Sequence, residues 1–195
     1  HLAAILTAAI RPTISTAPAF AFDAPVQGSG KTLLARCIGA LATGSDPDIW
    51  PHISARDDEE TRKRLFTALR SGARAIVWDN VIGTFNSAAM ASLLTSDRYR
   101  DRVLGQSESS AVPNRALLLM TGNNLTLAGD MSRRVLVARI DPCTDKPYAR
   151  AFDVDPLAIC ISNRQQMIAA ALTLIRFYLS LEIERPGKGR MASFE

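Results

Sequence analysis

No apolar run in the sequence approaches the ~18–20 residues needed to cross a bilayer. The first twenty residues carry no basic stretch ahead of an apolar one. A membrane span and a secretory signal are therefore not expected. Cysteine is scarce: Cys37, Cys143 and Cys160 are odd in number, far apart and in no CxxC pair, so neither a zinc knuckle nor a disulfide framework is specified. A reducing, cytoplasmic setting follows as the expectation. Histidine is scarcer still, and His1 and His52 offer neither a ligand set nor a base constellation. No internal repeat is visible, and no long run of one charge.

What is present is enough to build a core. The 195 residues are 47% hydrophobic and 22% charged, close to the averages for a packed globular domain. That length suits one domain, or one domain with a small appendage. A net charge of +4, with a pI near 9.3, tolerates an anionic partner such as nucleic acid without requiring one. The chain starts at His1 and stops at Glu195, just after a Pro-Gly-Lys-Gly-Arg stretch, and reads as a piece of a longer polypeptide.

Strands and helices alternate along the chain. Leu2 to Ile10 is a lead-in helix closed by Arg11-Pro12. Ala19 to Asp23 is a short buried strand, followed by a glycine-rich loop and a helix from Thr32 to Thr43 that ends at Gly44. Ile49 to Ser54 is a weaker strand, and Pro51 within it assigns it to an edge. A helix opens at the acidic residues Asp57 to Glu60 and closes at Gly72. Arg74 to Asp79 and Arg115 to Thr121 have the continuous apolar character of parallel strands buried on both faces, and Val135 to Ile140 is the fifth strand. Ser87 to Thr95 reads as a helix, and Asp155 to about Leu181 as a helical appendage. The fold class is accordingly α/β: three α/β/α layers around a mainly parallel five-stranded sheet, with ligands beyond the carboxyl ends of the strands. The expected divisions are a lead-in helix at 1–16, the core at 17–145 and a C-terminal helical segment at 146–195.

The strongest chemical signal is Pro25-Val26-Gln27-Gly28-Ser29-Gly30-Lys31-Thr32, the tail of G-x-x-x-x-G-K-[ST], lying between a strand and a helix. Gly28 and Gly30 let the backbone approach phosphate oxygens, and the helix N-terminus adds positive potential. Lys31 can reach the β- and γ-phosphates, and Thr32 can ligate Mg²⁺. Val26 to Leu33 is thus the candidate ATP-binding segment. Pro25 departs from the glycine that usually begins such a loop, and its fixed φ requires a different entry.

Asp79 ends the apolar strand Ala75 to Trp78, as does the aspartate that supports Mg²⁺ in many nucleotide sites. Such sites often place a glutamate next, to polarise the attacking water. Here the next residue is Asn80, which cannot accept a proton. Glu59 and Glu60 are the candidate replacements on the same rim, although an ordinary acidic helix start has the same composition. Asn123 and Asn124 supply neutral amides at another strand tip. Arg133 and Arg134 precede the last strand and can bridge phosphate oxygens, or equally form a solvated basic helix end.

Taken together, GSGKT, VWDN, LLLMTGNN and SRRVLVARID resemble the AAA+ class of P-loop ATPases, particularly the superfamily III-like helicase modules of phage and mobile-element primase-helicase proteins. The stretches DRVLGQS, TGNNLTLAGDMSRR, AALTLIRFY and RPGKGRMASFE are similar to a group of prophage-encoded proteins carrying such a module. The resemblance implies that Lys31 and Thr32 hold ATP and Mg²⁺, that Asp79 supports the metal, and that Asn123 or Asn124 is sensor 1. It also implies that Arg133 or Arg134 is an arginine finger acting on a neighbouring subunit of a ring. In such modules a loop between the metal-binding strand and sensor 1 contacts DNA, single- or double-stranded. Here that interval holds Arg98, Tyr99, Arg100 and Arg102, interleaved with Asp97 and Asp101, which can equally pair with the arginines.

The expected function is an ATP-hydrolysing motor domain of a replication protein. A small-molecule phosphotransferase and a nucleotide-sensing module without efficient hydrolysis are the alternatives.

Overall fold

The computed structural model describes residues 1–52, 57–103, 105, 108–144, 146–150 and 152–181. Its centre is a five-stranded sheet built from β1 (Ala19–Ala24), β2 (Ile49–Pro51), β3 (Ala75–Phe85), β6 (Leu117–Leu127) and β7 (Val135–Arg139). The spatial order is β2-β3-β6-β1-β7, and each neighbouring pair is parallel. β4 (Arg98–Arg102) and β5 (Ser109–Pro113) form a separate antiparallel hairpin.

Helices cover both faces. α1 (Leu2–Ile10) and α2 (Lys31–Thr43) pack with Phe20, Phe22, Val77, Leu117 and Leu119 on one face, and Met167 and Ile168 of α6 (Arg164–Ser180) join them. α3 (Asp58–Arg70) and α4 (Ala88–Leu94) pack with Ala19, Ala21, Ile76, Trp78, Leu118 and Met120 on the other. The split follows strand alternation, in which successive side chains point to opposite faces. α5 (Pro156–Ser162) lies against α2 through Leu157, which shares a small cluster with Cys37 and Ala40. Among the described residues no helix is long and apolar enough to cross a membrane.

Local chemistry explains the element ends. Asp57 caps α3 by accepting from the Glu60 N–H at 3.0 Å, and Ser87 caps α4 by accepting from the Met90 N–H at 3.0 Å. The buried Arg11 staples the turn after α1 to the start of β6, donating to the carbonyls of Ala116 and Asn114, each at 2.9 Å.

Three elements differ from the sequence expectation. β3 and β6 each run to 11 residues and continue past Asp79 and Thr121, because the two strands keep pairing with each other as far as Phe85 and Leu127. Arg98 to Arg102, read as a loop, is a strand of the β4–β5 hairpin. The weak second strand is an edge strand, as Pro51 required; Ile53 and Ser54 of that candidate lie outside the described residues, as does the closing segment 182–195.

Candidate functional site

The carboxyl end of β1 and the middles of β3 and β6, at Asp79 and at Thr121 to Asn123, meet the start of α2. Between β1 and α2, Gly28 and Gly30 adopt φ of +74° and +83°, left-handed values that side-chain-bearing residues rarely take. A Cβ on Gly28 would lie 3.0 Å from the Cβ of Tyr148, so the loop also needs glycine there for close approach to the segment that follows β7. Lys31 opens α2 and is only 8% exposed. Its Nζ donates to the Val26 carbonyl at 3.1 Å, to Ser29 Oγ at 3.2 Å and to Asn123 Oδ1 at 2.7 Å. Burial pushes this ammonium below the ordinary lysine value, and the charges of Asp23 and Asp79 oppose the shift. The side chain is a mostly buried cation held on three neutral oxygens.

Thr32, one residue on, donates from Oγ1 to Asp79 Oδ1 at 2.8 Å. Thr121 Oγ1 donates to the same carboxylate oxygen at 2.5 Å and accepts from the Asn80 N–H at 3.0 Å. Asn80 takes a φ of +58°, and the β3–β6 register shifts between Trp78 and Val81. The bulge keeps Asp79 and Asn80 together on the cavity rim. Gly122 makes room beside it, since a Cβ there would meet the Val81 carbonyl at 2.9 Å.

These groups enclose a polar cavity of about 320 Å³, lined by Gln27, Gly28, Lys31, Thr32, Asp79, Asn80, Thr121, Gly122 and Asn123. A second, mostly apolar cavity of about 440 Å³ lies across the loop. It shares Gly28 and includes Ser29, Gly30, Leu33, Ile140, Pro147 and Phe152. The glycine-rich loop is therefore a wall common to an ionic chamber and an apolar one. Two hard oxygen donors in contact, Thr32 and Asp79, beside a buried lysine and a helix N-terminus, can hold a divalent cation together with an anion.

The structure separates residues that the sequence left paired. Asn123 lines the cavity and accepts from Lys31, whereas Asn124 points elsewhere, its Nδ2 3.4 Å from the Pro25 carbonyl and its Oδ1 accepting from Arg139 at 3.3 Å. Arg133 and Arg134 are outside the cavity lining. Arg133 is half-exposed and pairs with Asp130 at 2.6 Å. Arg134 is mostly buried, pairing with Asp130 at 2.9 Å and donating to the Ala91 carbonyl. Glu60 pairs with Arg64 at 3.1 Å and Glu59 with Lys63 at 2.8 Å, and neither lines the cavity.

In the hairpin, Arg98, Arg100 and Arg102 are exposed, while Tyr99 and Asp101 turn inward. Tyr99 is thus core rather than a free stacking platform, and Asp101 pairs with Arg62 of α3. Two participants escaped the sequence reading. Thr121 was signalled only as a polar end to an apolar run, and Asp23 only as an acid closing the buried strand ahead of the loop.

No family model matches the sequence, and no curated protein matches it. Among solved structures, the chain is similar to the A form apo structure of the NrS-1 C terminal region, with 14% identity and a TM-score of 0.56. The alignment covers 86% of this chain and 39% of that one, so the chain spans well under half the length of that protein. At this identity the likeness speaks for the fold alone.

Proposed function

We propose that this chain binds ATP with Mg²⁺ and hydrolyses it as the motor domain of a nucleic-acid-processing, helicase-type assembly of identical subunits. The observation that carries the proposal is the convergence of Lys31, Thr32, Asp79 and Asn123 on one polar cavity at the N-terminus of α2. In this reading the glycine-rich loop is a P-loop. Backbone N–H groups of the loop and Lys31 Nζ take the phosphate oxygens, and Lys31 gives up its bond to Asn123 in doing so. Thr32 and Asp79 would hold Mg²⁺, which would supply positive charge against the phosphates. Asn123, once released, orients the attacking water or the γ-phosphate as a sensor. The apolar cavity accepts the base against Leu33, Ile140 and Phe152.

The exposed face of the hairpin supports a nucleic-acid partner. Arg98, Arg100 and Arg102 are spaced two residues apart on one side of a strand, about 7 Å between successive side chains. Guanidiniums in such a row suit the phosphates of an extended strand. Arg133, half-exposed and away from its own Lys31, is the better placed of the two arginines to serve a neighbouring subunit.

One observation favours a second reading, a nucleotide sensor that turns over slowly. Among the described residues lining the polar cavity, Asp79 alone carries a carboxylate, and Asn80 cannot act as a base. Titration with labelled ATP in the presence of Mg²⁺, followed by phosphate release with and without single-stranded DNA, separates the alternatives. Binding with DNA-stimulated release supports the motor, binding without release supports the sensor, and no binding defeats both.

A further inference from the structure

The penultimate residue of the strand leading into the glycine-rich loop is a buried acid that lies outside the polar cavity and enters the chemistry above only through its charge on Lys31. Asp23 is 2% exposed and follows Ala19 and Ala21 onto the α3/α4 side of the sheet, the face opposite α2 and Lys31. A carboxylate so placed persists only when paired. Its Oδ1 accepts from the Leu125 N–H of β6 at 2.9 Å, and its Oδ2 accepts from Arg139 Nη1 of β7 at 2.6 Å. The same guanidinium donates through Nη2 to Asn124 Oδ1 at 3.3 Å, and Asn124 Nδ2 reaches the Pro25 carbonyl at 3.4 Å. β1, β6, β7 and the first residue of the loop are thereby joined through one ion pair.

The connection to the polar cavity is short. Asn124 sits at φ +50° between Asn123, which accepts from Lys31, and Leu125, which is held by Asp23. Consecutive asparagines thus serve opposite faces of the sheet, one on the lysine and one on the ion pair. At the other end, Pro25 has a fixed φ, which leaves ψ as its one soft backbone angle, and the hydrogen bond from Asn124 to its carbonyl restrains that angle. We infer that Asp23, Arg139 and Asn124 form a positioning network that sets the places of Asn123 and of the loop entry, and so governs turnover of the bound nucleotide without touching it. The inference rests on the nucleotide reading proposed above. Its physical basis is the sensitivity of phosphoryl transfer to geometry, where a displacement of about 1 Å can cost about 100-fold.

The test compares Asp23→Asn, which keeps an acceptor for Leu125 but removes the charge that holds Arg139, with Arg139→Gln and Arg139→Lys. Arg139→Gln leaves the buried Asp23 carboxylate without its cation, so each variant is read only after a thermal melt shows it folded, and Asp23→Asn/Arg139→Gln, which removes both charges together, supplies the reading if a single variant does not fold. The expected result for Arg139→Gln, and for Asp23→Asn where folded, is a kcat lowered about 10- to 100-fold with the Kd for ATP and Mg²⁺ within about threefold of wild type. Arg139→Lys should recover part of the loss, and the double variant Asp23→Asn/Arg139→Gln should be no worse than the poorer single one, as members of one network behave. A folded Arg139→Gln chain with wild-type kcat overturns the network alone. A loss of affinity equal to the loss of kcat also overturns it, because the cluster would then be general support for the site. A wild-type chain that binds ATP without turning it over overturns the assignment to turnover, and one that binds no ATP overturns the nucleotide reading as well.

Discussion

Thr32 Oγ1 donates to Asp79 Oδ1 at 2.8 Å, joining the first turn of α2 to β3 across 47 residues of sequence. Lys31, the neighbour of Thr32, turns to Asn123 at 2.7 Å. One helix start thus addresses two different strands, placing a cation and two oxygens in the same chamber. Thr32→Val should leave the fold intact and lower ATP affinity about tenfold or more in Mg²⁺, while affinity measured in EDTA hardly changes. Lys31→Ala should weaken binding in both conditions by about 10- to 100-fold, since a charge-assisted contact contributes ~1.5–3 kcal/mol. Isothermal titration of the three proteins reads both effects.

Arg133 and Arg134, adjacent in sequence, should part company on mutation. Arg134 is mostly buried, and its loss leaves the Ala91 carbonyl without that donor; Arg134→Ala should destabilise the fold by about 1–3 kcal/mol in urea melts. Arg133 is half-exposed, so Arg133→Ala should change stability by no more than about 0.5 kcal/mol. If Arg133 acts across an interface, inactive Arg133→Ala and inactive Lys31→Ala subunits should regain partial ATPase activity when mixed, because some mixed interfaces contain an intact site. Mixed assemblies that form without regaining turnover would assign Arg133 to its own subunit's surface.

The hairpin arginines should carry the salt dependence of nucleic-acid binding. Replacing Arg98, Arg100 and Arg102 by alanine should weaken binding to single-stranded DNA and reduce the slope of log K against log salt by about 2, at about 0.7 per phosphate contact. Tyr99→Phe should leave that slope unchanged, because Tyr99 faces the core. Fluorescence anisotropy across a salt series is sufficient, and an unchanged slope in the triple variant would place the DNA contact elsewhere.

A pH effect is expected at His52. Its Nδ1 accepts from Trp78 Nε1 at 3.4 Å, and burial pushes the imidazole below its ordinary value. The folded state therefore favours the neutral ring. This contribution is fully present above the unfolded value of about 6.5 and is lost as pH falls from there towards the lower folded value. The Tm of the wild-type chain should drop between pH 7.5 and 5.5 more than that of His52→Gln, which does not titrate in this range. Parallel Tm curves for the two proteins would remove His52 from the acid response.

Thiol labelling should follow burial. Cys37 is buried, and desolvation by its apolar surroundings pushes its thiol up to about 12, whereas Cys143 is exposed. At pH 8.5 iodoacetamide should modify Cys143 rapidly and leave Cys37 unmodified until the chain unfolds, as peptide mass spectrometry would register. Rapid native-state modification of Cys37 would mean that α5 does not stay packed on α2.

Local chemistry determined much of this protein. The apolar runs at Ala75–Trp78 and Leu117–Met120 have no polar face to offer solvent, so they become central parallel strands in any packing that satisfies them. Glycines at 28 and 30 ahead of Lys31 and Thr32 dictate a tight turn into a helix, and that neighbourhood needs no distant partner to be recognised. Only the tertiary structure decided which residues at the strand ends meet. Faces alternate with a period of two, and the register shift beside Asn80 resets that alternation in a way no local pattern announces. Asn123 and Asn124 were therefore equivalent in the sequence and are opposite in space. Thr121 reaches Asp79, and Asp23 reaches Arg139 from 116 residues away, through hydrogen bonds that exist only once β1, β3, β6 and β7 lie in their order. Tyr99 and the arginines around it divided into inside and outside only when pairing with β5 made that segment a strand. Composition and spacing select an element by its own energetics, whereas the partners of a polar tip are selected by whichever neighbour the fold delivers to it.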